Sequence, residues 1–363
     1  MKQYGYSRNS YLDETVHVTP KSSSGGRGPR KPAKRNLPIG LVIAIDVVLA
    51  ALLLGIFYVT NYMIKTEVQP SALPTPSSVA AGASAAASAS VSVSQPGVSE
   101  TTAVDPNDWR AKFADKFTDG APIQTENSYI SSNINVTIDI QEIDGVHYYL
   151  ADIYVADQKY FRTAFAGEDP DVMGDRQMSD LIAQENGAII SITGDHCVDN
   201  KDTGVVIRNG SSYADNKPSS DQFVMFYDGT MKSYSPGDFN YDEVVAAGAY
   251  QVWSWGPMLL QNGQPMTEFN MPDQIGASNP RAAVGYYEPG HYCFLVVGGR
   301  MDGYSEGCTL EALSQYMYNL GCTEAYNLDG GRSAEMVFMG QMLNVQVGRR
   351  EATDILFVGE KED

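Results

Sequence analysis

The chain has 363 residues, with 44 acidic side chains against 25 basic ones and a net charge of −19. Its four cysteines show no CxxC spacing and its four histidines no HxxxH or HExxH spacing, which excludes a zinc knuckle and a thioredoxin-type motif and gives a zinc hydrolase no support. An excess of acid this large repels polyanions and excludes non-specific nucleic-acid binding.

Residues 1–36 carry eight Lys or Arg against Asp13 and Glu14, a net of +6. They read as a basic cytoplasmic tail. An apolar segment follows from Ile39 to Tyr62, about 24 residues and long enough to cross a bilayer with some tilt. It is too long for a signal-peptide core, and no small-residue cleavage site stands directly after it. Asp46 within it is costly, but is tolerated near the cytoplasmic end or beside a partner. We therefore expect a transmembrane helix over 37–62. Positive residues stay inside, so the amino terminus is expected in the cytoplasm and the remainder outside. Residues 61–363 hold 17 basic and 41 acidic residues, a net of −24, so an anionic substrate there needs a local cluster of the few arginines. From Thr66 to about Asp105 the composition is Ser, Ala, Pro, Thr and Val, which cannot bury a core; residues 63–105 read as a flexible spacer.

Asp105-Pro106 reads as a helix start, with Asp as N-cap and Pro in the first turn. Residues 106–363 then suit one large extracellular domain, with no second linker and no internal repeat. Polar–apolar alternation over Ser132–Ile143 and Val146–Ala156, joined by Asp144-Gly145, predicts an antiparallel hairpin. Ser179–Glu185 reads as a short helix and Ala188–Thr193 as a buried strand. Further strands are expected at Gly204–Arg208, Phe223–Tyr227 and Tyr292–Val297. Thr309 caps a helix with Leu310, Leu313, Met317 and Leu320 on one face and Gly321 past its end. Strands dominate without regular βαβ alternation, so the fold class is α+β: strand-rich, mixed twisted sheets with a few interspersed helices. Cys308 and Cys322 flank that last helix, whose rise sets them roughly 20 Å apart, beyond disulfide reach. Structural or free thiols are expected.

The densest chemistry lies in Asn327-Leu328-Asp329-Gly330-Gly331-Arg332-Ser333. Paired glycines bring backbone N–H groups close to a ligand, and a carboxylate, a guanidinium and a hydroxyl flank them. That pattern fits an anion site beside an acid/base group, or a tight loop whose Asp caps its own turn. Thr193-Gly194-Asp195-His196-Cys197 ends a buried strand and reads as a functional turn or a plain polar loop. Asn279-Pro280-Arg281 precedes the apolar Ala282–Gly285, where an arginine needs an anion or carbonyl partner. Gly298-Gly299-Arg300 ends the next strand in the same style. Trp253-Ser254-Trp255-Gly256-Pro257 offers either a sugar-stacking wall or core tryptophans.

Taken in order, these segments resemble the phosphodiester glycosidase family, the domain of the lysosomal "uncovering" enzyme. The resemblance rests on Ala151–Val155, Gly204–Gly210, Trp255–Leu259, Asn279–Gly285, Gly307–Glu311, Asn327–Ser333 and Arg350–Leu356, and spans about Ser128 to Val358. Bacterial relatives are associated with exopolysaccharide biosynthesis. The family likeness implies hydrolysis of the bond between a sugar's anomeric carbon and a phosphodiester oxygen; no cofactor is expected and no metal ligands are assigned. It implies Asp329 first and Asp195 second as the catalytic carboxylates. Arg281, Arg300, Gly330, Gly331, Arg332, Ser333, Asn327, His196, Thr193 and Gly256 would hold the substrate. Thr193 stands where the family has Asn, His196 and Cys197 where it has aromatics, Gly298 where it has Asp, and Arg332 where it has a third glycine. Two functions follow. One is a membrane-anchored hydrolase of sugar-1-phosphodiesters in surface polysaccharide or teichoic-acid-like polymers. The other is a catalytically weak or inactive module of the same fold that binds glycans or cell wall. Asn135-Val136-Thr137 and Asn209-Gly210-Ser211 are glycosylation sequons that matter only in a eukaryotic secretory pathway.

Overall fold

The computed structural model describes residues 38–58, 68–73, 105, 107–200 and 204–360. The basic tail and most of the Ser/Ala/Pro-rich spacer lie outside these residues. The chain divides into two compact units, residues 1–63 and 64–363. The first holds one helix, Ile39–Tyr58, whose 20 residues rise about 30 Å. Its side chains are described at 40, 41 and 43–56, and no helix among the described residues is long and apolar enough to cross a membrane. The spanning segment expected over 37–62 extends beyond that stretch.

The second unit is strand-rich α+β, built from three sheets whose described ladders are all antiparallel. The central sheet has nine strands. It includes Met258–Gln261, Glu324–Asn327, Arg281–Glu288, His291–Val297, Val146–Val155 and Ile134–Ile143, neighbours in that order. The expected hairpin is present, and Asp144 (φ 52°) and Gly145 (φ 74°) make the left-handed turn that two-residue hairpins favour. Alternation decides what each strand faces. On His291–Val297, Tyr292, Phe294 and Val296 enter the main core, whereas Cys293, Leu295 and Val297 enter a second cluster on the opposite face. Both faces are therefore dry, and the strand reads as a continuous apolar run rather than an alternating one.

The main core lies where the three sheets meet. Phe294 and Val284 come from the nine-stranded sheet, Phe223 and Trp253 from the six-stranded one, and Ile192, Met336 and Leu356 from the five-stranded one. The helix Leu310–Asn319 covers the other face of the large sheet with Leu310, Leu313 and Met317. Thr309 Oγ1 caps it by accepting from Ala312 N at 3.1 Å, and Gly321 (φ 88°) follows its end, as the sequence predicts.

Two expectations move. The first helix of the domain is Trp109–Lys112, and its cap is Asp108, which accepts from Ala111 N at 2.9 Å. Asp105 instead accepts from Asn107 N and shapes the turn before the helix. Residues 68–73 belong to the spacer by composition, yet Val68 bridges Met173 and Ser71–Ala72 pair with the edge strand Ser211–Asp215. An unpaired sheet edge binds backbone and is indifferent to composition. Both sequon asparagines are engaged internally: Asn135 Nδ2 donates to Lys116 O and Asn209 Nδ2 to Thr163 O.

Candidate active site

Strands of two sheets deliver their ends to one place. Ile190–Thr193 runs out into Gly194-Asp195-His196, Glu324–Asn327 into Leu328-Asp329, and His291–Val297 into Gly298-Gly299-Arg300. Arg281 pairs with Val297 at the start of its own strand, so it arrives at the same edge. Backbone hydrogen bonds lock these ends together. Asp329 N donates to Gly194 O at 2.9 Å, Leu328 N to Ala282 O at 2.8 Å, Gly331 N to Pro280 O at 2.9 Å and Gly194 N to Asp354 O at 2.8 Å. The paired glycines are required by close approach. A Cβ at 330 would stand 2.8 Å from Pro280 O, and one at 331 (φ 62°) would meet the Arg300 guanidinium at 3.1 Å.

The result is a cleft of about 340 Å³, large enough for a monosaccharide and its phosphate. Its walls include Trp255, Asn279, Asn327 and the Asp329–Arg332 loop. Four arginines line it, Arg281, Arg300, Arg332 and Arg350, against a single lining carboxylate, Asp329. Against a net charge of −24 over residues 61–363, this is a strong local excess of positive charge.

Asp329 is nearly enclosed, with 8% of its side chain exposed. Its Oδ2 takes an ion pair from Arg350 Nη2 at 2.5 Å and stands 3.5 Å from His196 Nδ1. Among the described residues its Oδ1 accepts no protein hydrogen bond. Arg350 is aimed by a second bond, Nε to Ser333 Oγ at 2.8 Å. His196 (φ 65°) and Arg300 (φ 57°) both hold left-handed backbone without being glycine. Such geometry costs about 1–3 kcal/mol each and persists where packing imposes it. His196 sets its ring edge-on to Trp255 at 5.7 Å. Arg300 spends Nε and Nη2 on Asn279 Oδ1 at 3.2 and 2.7 Å, a neutral partner that leaves its charge available.

Asp195 is elsewhere. It is wholly buried and absent from the cleft lining, so the structure does not bring the two carboxylates suggested by the sequence together at the cleft. Arg208 Nη2 lies 2.6 Å from Asp195 Oδ1 and 3.0 Å from Asp354 Oδ2, and all three side chains are at most 1% exposed. Burial pushes the Asp195 carboxyl above the ordinary range, and the pull of Arg208 offsets this only in part. Burial works against the charge on Arg208 too, but the two carboxylates outweigh it and raise its pKa. Asp195 Oδ2 also accepts Ser254 N at 2.7 Å and so fixes the turn that presents Trp255. Asp195, Asp354 and Cys197 offer donor atoms within 4.8 Å of one another. A cation among them would sit against the Arg208 guanidinium, so the arrangement is better suited to an internal ion network than to a metal.

Arg281 lines the cleft but spends its guanidinium on carbonyls: Nε on Cys308 O, Nη2 on Ile275 O and Ala277 O. Burial lowers its pKa. It is a loop clamp first. Asn327 lines the cleft while its Nδ2 ties Gly256 O and Leu328 O. Thr193, His196, Gly256 and Ser333 support the lining residues without joining them. Gly298 is also set back, and a side chain there would point towards Ser305 and His147.

Sequence reasoning missed Arg350 and Asn279 as site residues. Arg350 carried a signal, since adjacent arginines after Gly348 are unusual in so acidic a domain. Trp255 was left undecided between wall and core. The structure splits the pair: Trp253 is core at 0% exposure, and Trp255 is half-buried in the cleft wall.

Residues 186–358 match the family described as phosphodiester glycosidase (NAGPA). A prophage-derived uncharacterized protein of Bacillus subtilis strain 168 is 28% identical over 167 residues, covering 44% of this chain and 26% of that one. The chain thus spans about a quarter of that curated relative. Among solved structures, the zebrafish N-acetylglucosamine-1-phosphodiester alpha-N-acetylglucosaminidase catalytic domain, auto-inhibited by its pro-peptide, aligns with a TM-score of 0.49 and 19% identity, over 63% of this chain and 83% of that one. A hypothetical protein from Synechocystis aligns with a TM-score of 0.44 and 14% identity, over 66% and 64% of the two chains.

Proposed function

Residues 186–358 belong to the phosphodiester glycosidase family, and from that premise we propose that the chain hydrolyses the C1–O–P linkage of sugar-1-phosphodiesters in the cleft around Asp329. One observation carries the reading: among the described residues, a single lining carboxylate with one oxygen that accepts no protein hydrogen bond stands among four arginines.

The charge balance suits this bond. A phosphodiester leaves as a monoester anion that gains one negative charge as the C1–O bond breaks, so the departing group needs cations more than a proton. Arg300 provides positive charge for it at the cleft. Ordinary glycosidases need two carboxylates, one of them to protonate the leaving oxygen. With a phosphate leaving group that first carboxyl is dispensable, and one acid suffices. Asp329 Oδ1 takes a proton from the attacking water as its oxygen bonds to C1, while Arg350 holds Oδ2 and fixes the carboxylate plane. Trp255 offers an apolar face to the sugar ring.

We take the apolar segment expected over 37–62, with the +6 tail before it, as the anchor of a single-pass protein with a cytoplasmic amino terminus. The domain then faces the cell surface, where polysaccharide or teichoic-acid-like polymers supply repeated phosphodiesters. Arg332 supports a polyanionic aglycone: it is exposed at the rim, and no ion pair or hydrogen bond of its side chain exists among the described residues. The alternative is an inactive glycan-binding module, supported by the departures at Thr193, Gly298 and Arg332. Thr193 and Gly298 stand outside the lining residues, which leaves that reading with Arg332 alone.

The deciding experiment incubates the full-length chain with a GlcNAc-1-phosphate diester and measures free sugar, beside Asp329→Asn. Turnover that falls roughly 10²–10⁴-fold in the variant is expected. A folded wild-type chain that releases no sugar from several sugar-1-phosphodiesters would move the assignment to the binding module.

A further inference from the structure

Two thiols meet above a glycine in the nine-stranded sheet. Cys293 is central in the strand His291–Val297, and Cys322 lies between the helix Leu310–Asn319 and the strand Glu324–Asn327. Their sulfurs are 3.7 Å apart, and the residues are 0% and 3% exposed. Gly285 belongs to the strand between them, paired with Cys293 on one side and Ala325 on the other. A Cβ at 285 would lie 2.6 Å from Cys293 Sγ and 2.7 Å from Cys322 Sγ. Glycine inside a buried strand weakens it, and often marks a place where something must approach closely. Here the missing side chain is the space in which the sulfurs meet. Cys308, at the other end of the helix, is out of reach of Cys322 as the sequence predicts; the neighbour of Cys322 comes instead from a strand of the nine-stranded sheet under the helix.

We propose that Cys293 and Cys322 are a redox pair that closes to a disulfide across Gly285 when the chain folds in an oxidising medium. Closure shortens the sulfur separation from 3.7 Å to about 2.05 Å. The oxidant is a small-molecule disulfide. One protein thiolate attacks it and releases one thiol, then the second protein thiolate displaces the other thiol from the mixed disulfide. One small disulfide is reduced to two thiols as one protein S–S bond forms. The hydrogen bond to Cys322 and burial hold the Cys293 thiol far above the usual range, so exchange occurs during folding, before the helix covers the pair. An oxidising medium rests on the extracellular placement proposed above, whereas the pairing rests on geometry alone. The bond would join the strand that leads to Arg300 with the junction that leads to Asp329, bracing both sides of the cleft.

The test uses the full-length chain exported to an oxidising compartment and equilibrated with oxidised glutathione in mild denaturant before dilution. Digestion without reductant should give one linked peptide pair containing Cys293 and Cys322. Two of the four thiols should then titrate in full denaturant. Reduction should lower Tm by about 10 °C, and Cys322→Ser should show the lower Tm with no response to reductant. Four titratable thiols, or a bridge to Cys197 or Cys308, would overturn the proposal. The peptide map of the wild-type chain decides even where the variant fails to fold, and needs no turnover assay.

Discussion

The molecule contains two arginine–carboxylate clusters of similar composition and opposite use. In one, Arg208 joins Asp195 and Asp354 with at most 1% of any side chain exposed. In the other, Arg350 holds Asp329 at the wall of an open cleft, with His196 3.5 Å away. The pairs have nearly the same length, 2.6 Å and 2.5 Å. What separates them is whether a carboxylate oxygen is left over. Asp195 commits one oxygen to Arg208 and the other to Ser254 N, whereas Asp329 Oδ1 accepts no protein hydrogen bond among the described residues. A fully satisfied network specifies the fold, and an incompletely satisfied one is poised to act on a ligand.

Mutation of each cluster sharpens the contrast. Asp329→Asn should produce the largest effect, the loss of turnover already described, with a denaturation midpoint close to wild type. Arg208→Met should do the reverse: two carboxylates left without their cation cost about 3–5 kcal/mol of stability, read by urea unfolding. If both variants lost activity and stability in equal measure, the division between the clusters would collapse. A smaller effect is expected at the rim. Arg332→Gly should raise KM about tenfold for a substrate with two phosphates, the weight of one charged hydrogen bond, and leave a single-phosphate substrate nearly unaffected. An equal change for both would sever Arg332 from the aglycone.

The smallest effect concerns pH. Burial, against the pull of Arg208, raises Asp195 to about 6, above the unfolded value of ~3.9. An acid raised in the fold is favoured in its protonated form. Its contribution is therefore full below about pH 4 and is lost as pH climbs through 6. The stability of wild type relative to Asp195→Asn should decline across that window in paired denaturation curves. A rise instead would mean that Arg208 dominates over burial.

These clusters also mark where the sequence was legible. The hairpin of Ile134–Val155 and the helix Leu310–Asn319 follow from local alternation and a local cap, and both stand where the residues predict them. The loop Asn327–Ser333 was visible because its glycines and charges are contiguous. Arg350 reaches Asp329 from 21 residues away and Asn279 reaches Arg300 from 21 away, through pairings of strands that local pattern does not encode. Asp195 read as part of a functional turn or a plain polar loop because nothing in its neighbourhood announces Arg208, 13 residues on. Side-chain direction at a strand end is a tertiary property.

The turn that Asp195 fixes through Ser254 N has an optical consequence. The chain has three tryptophans, and Trp109 and Trp253 are buried at 4% and 0% exposure. Trp255 alone stands half-buried in the cleft wall beside the His196 ring. The part of the emission that iodide or acrylamide quenches should therefore come from the cleft, and a bound sugar phosphate should shield it. Occupancy can then be titrated by native fluorescence, with no label and no turnover.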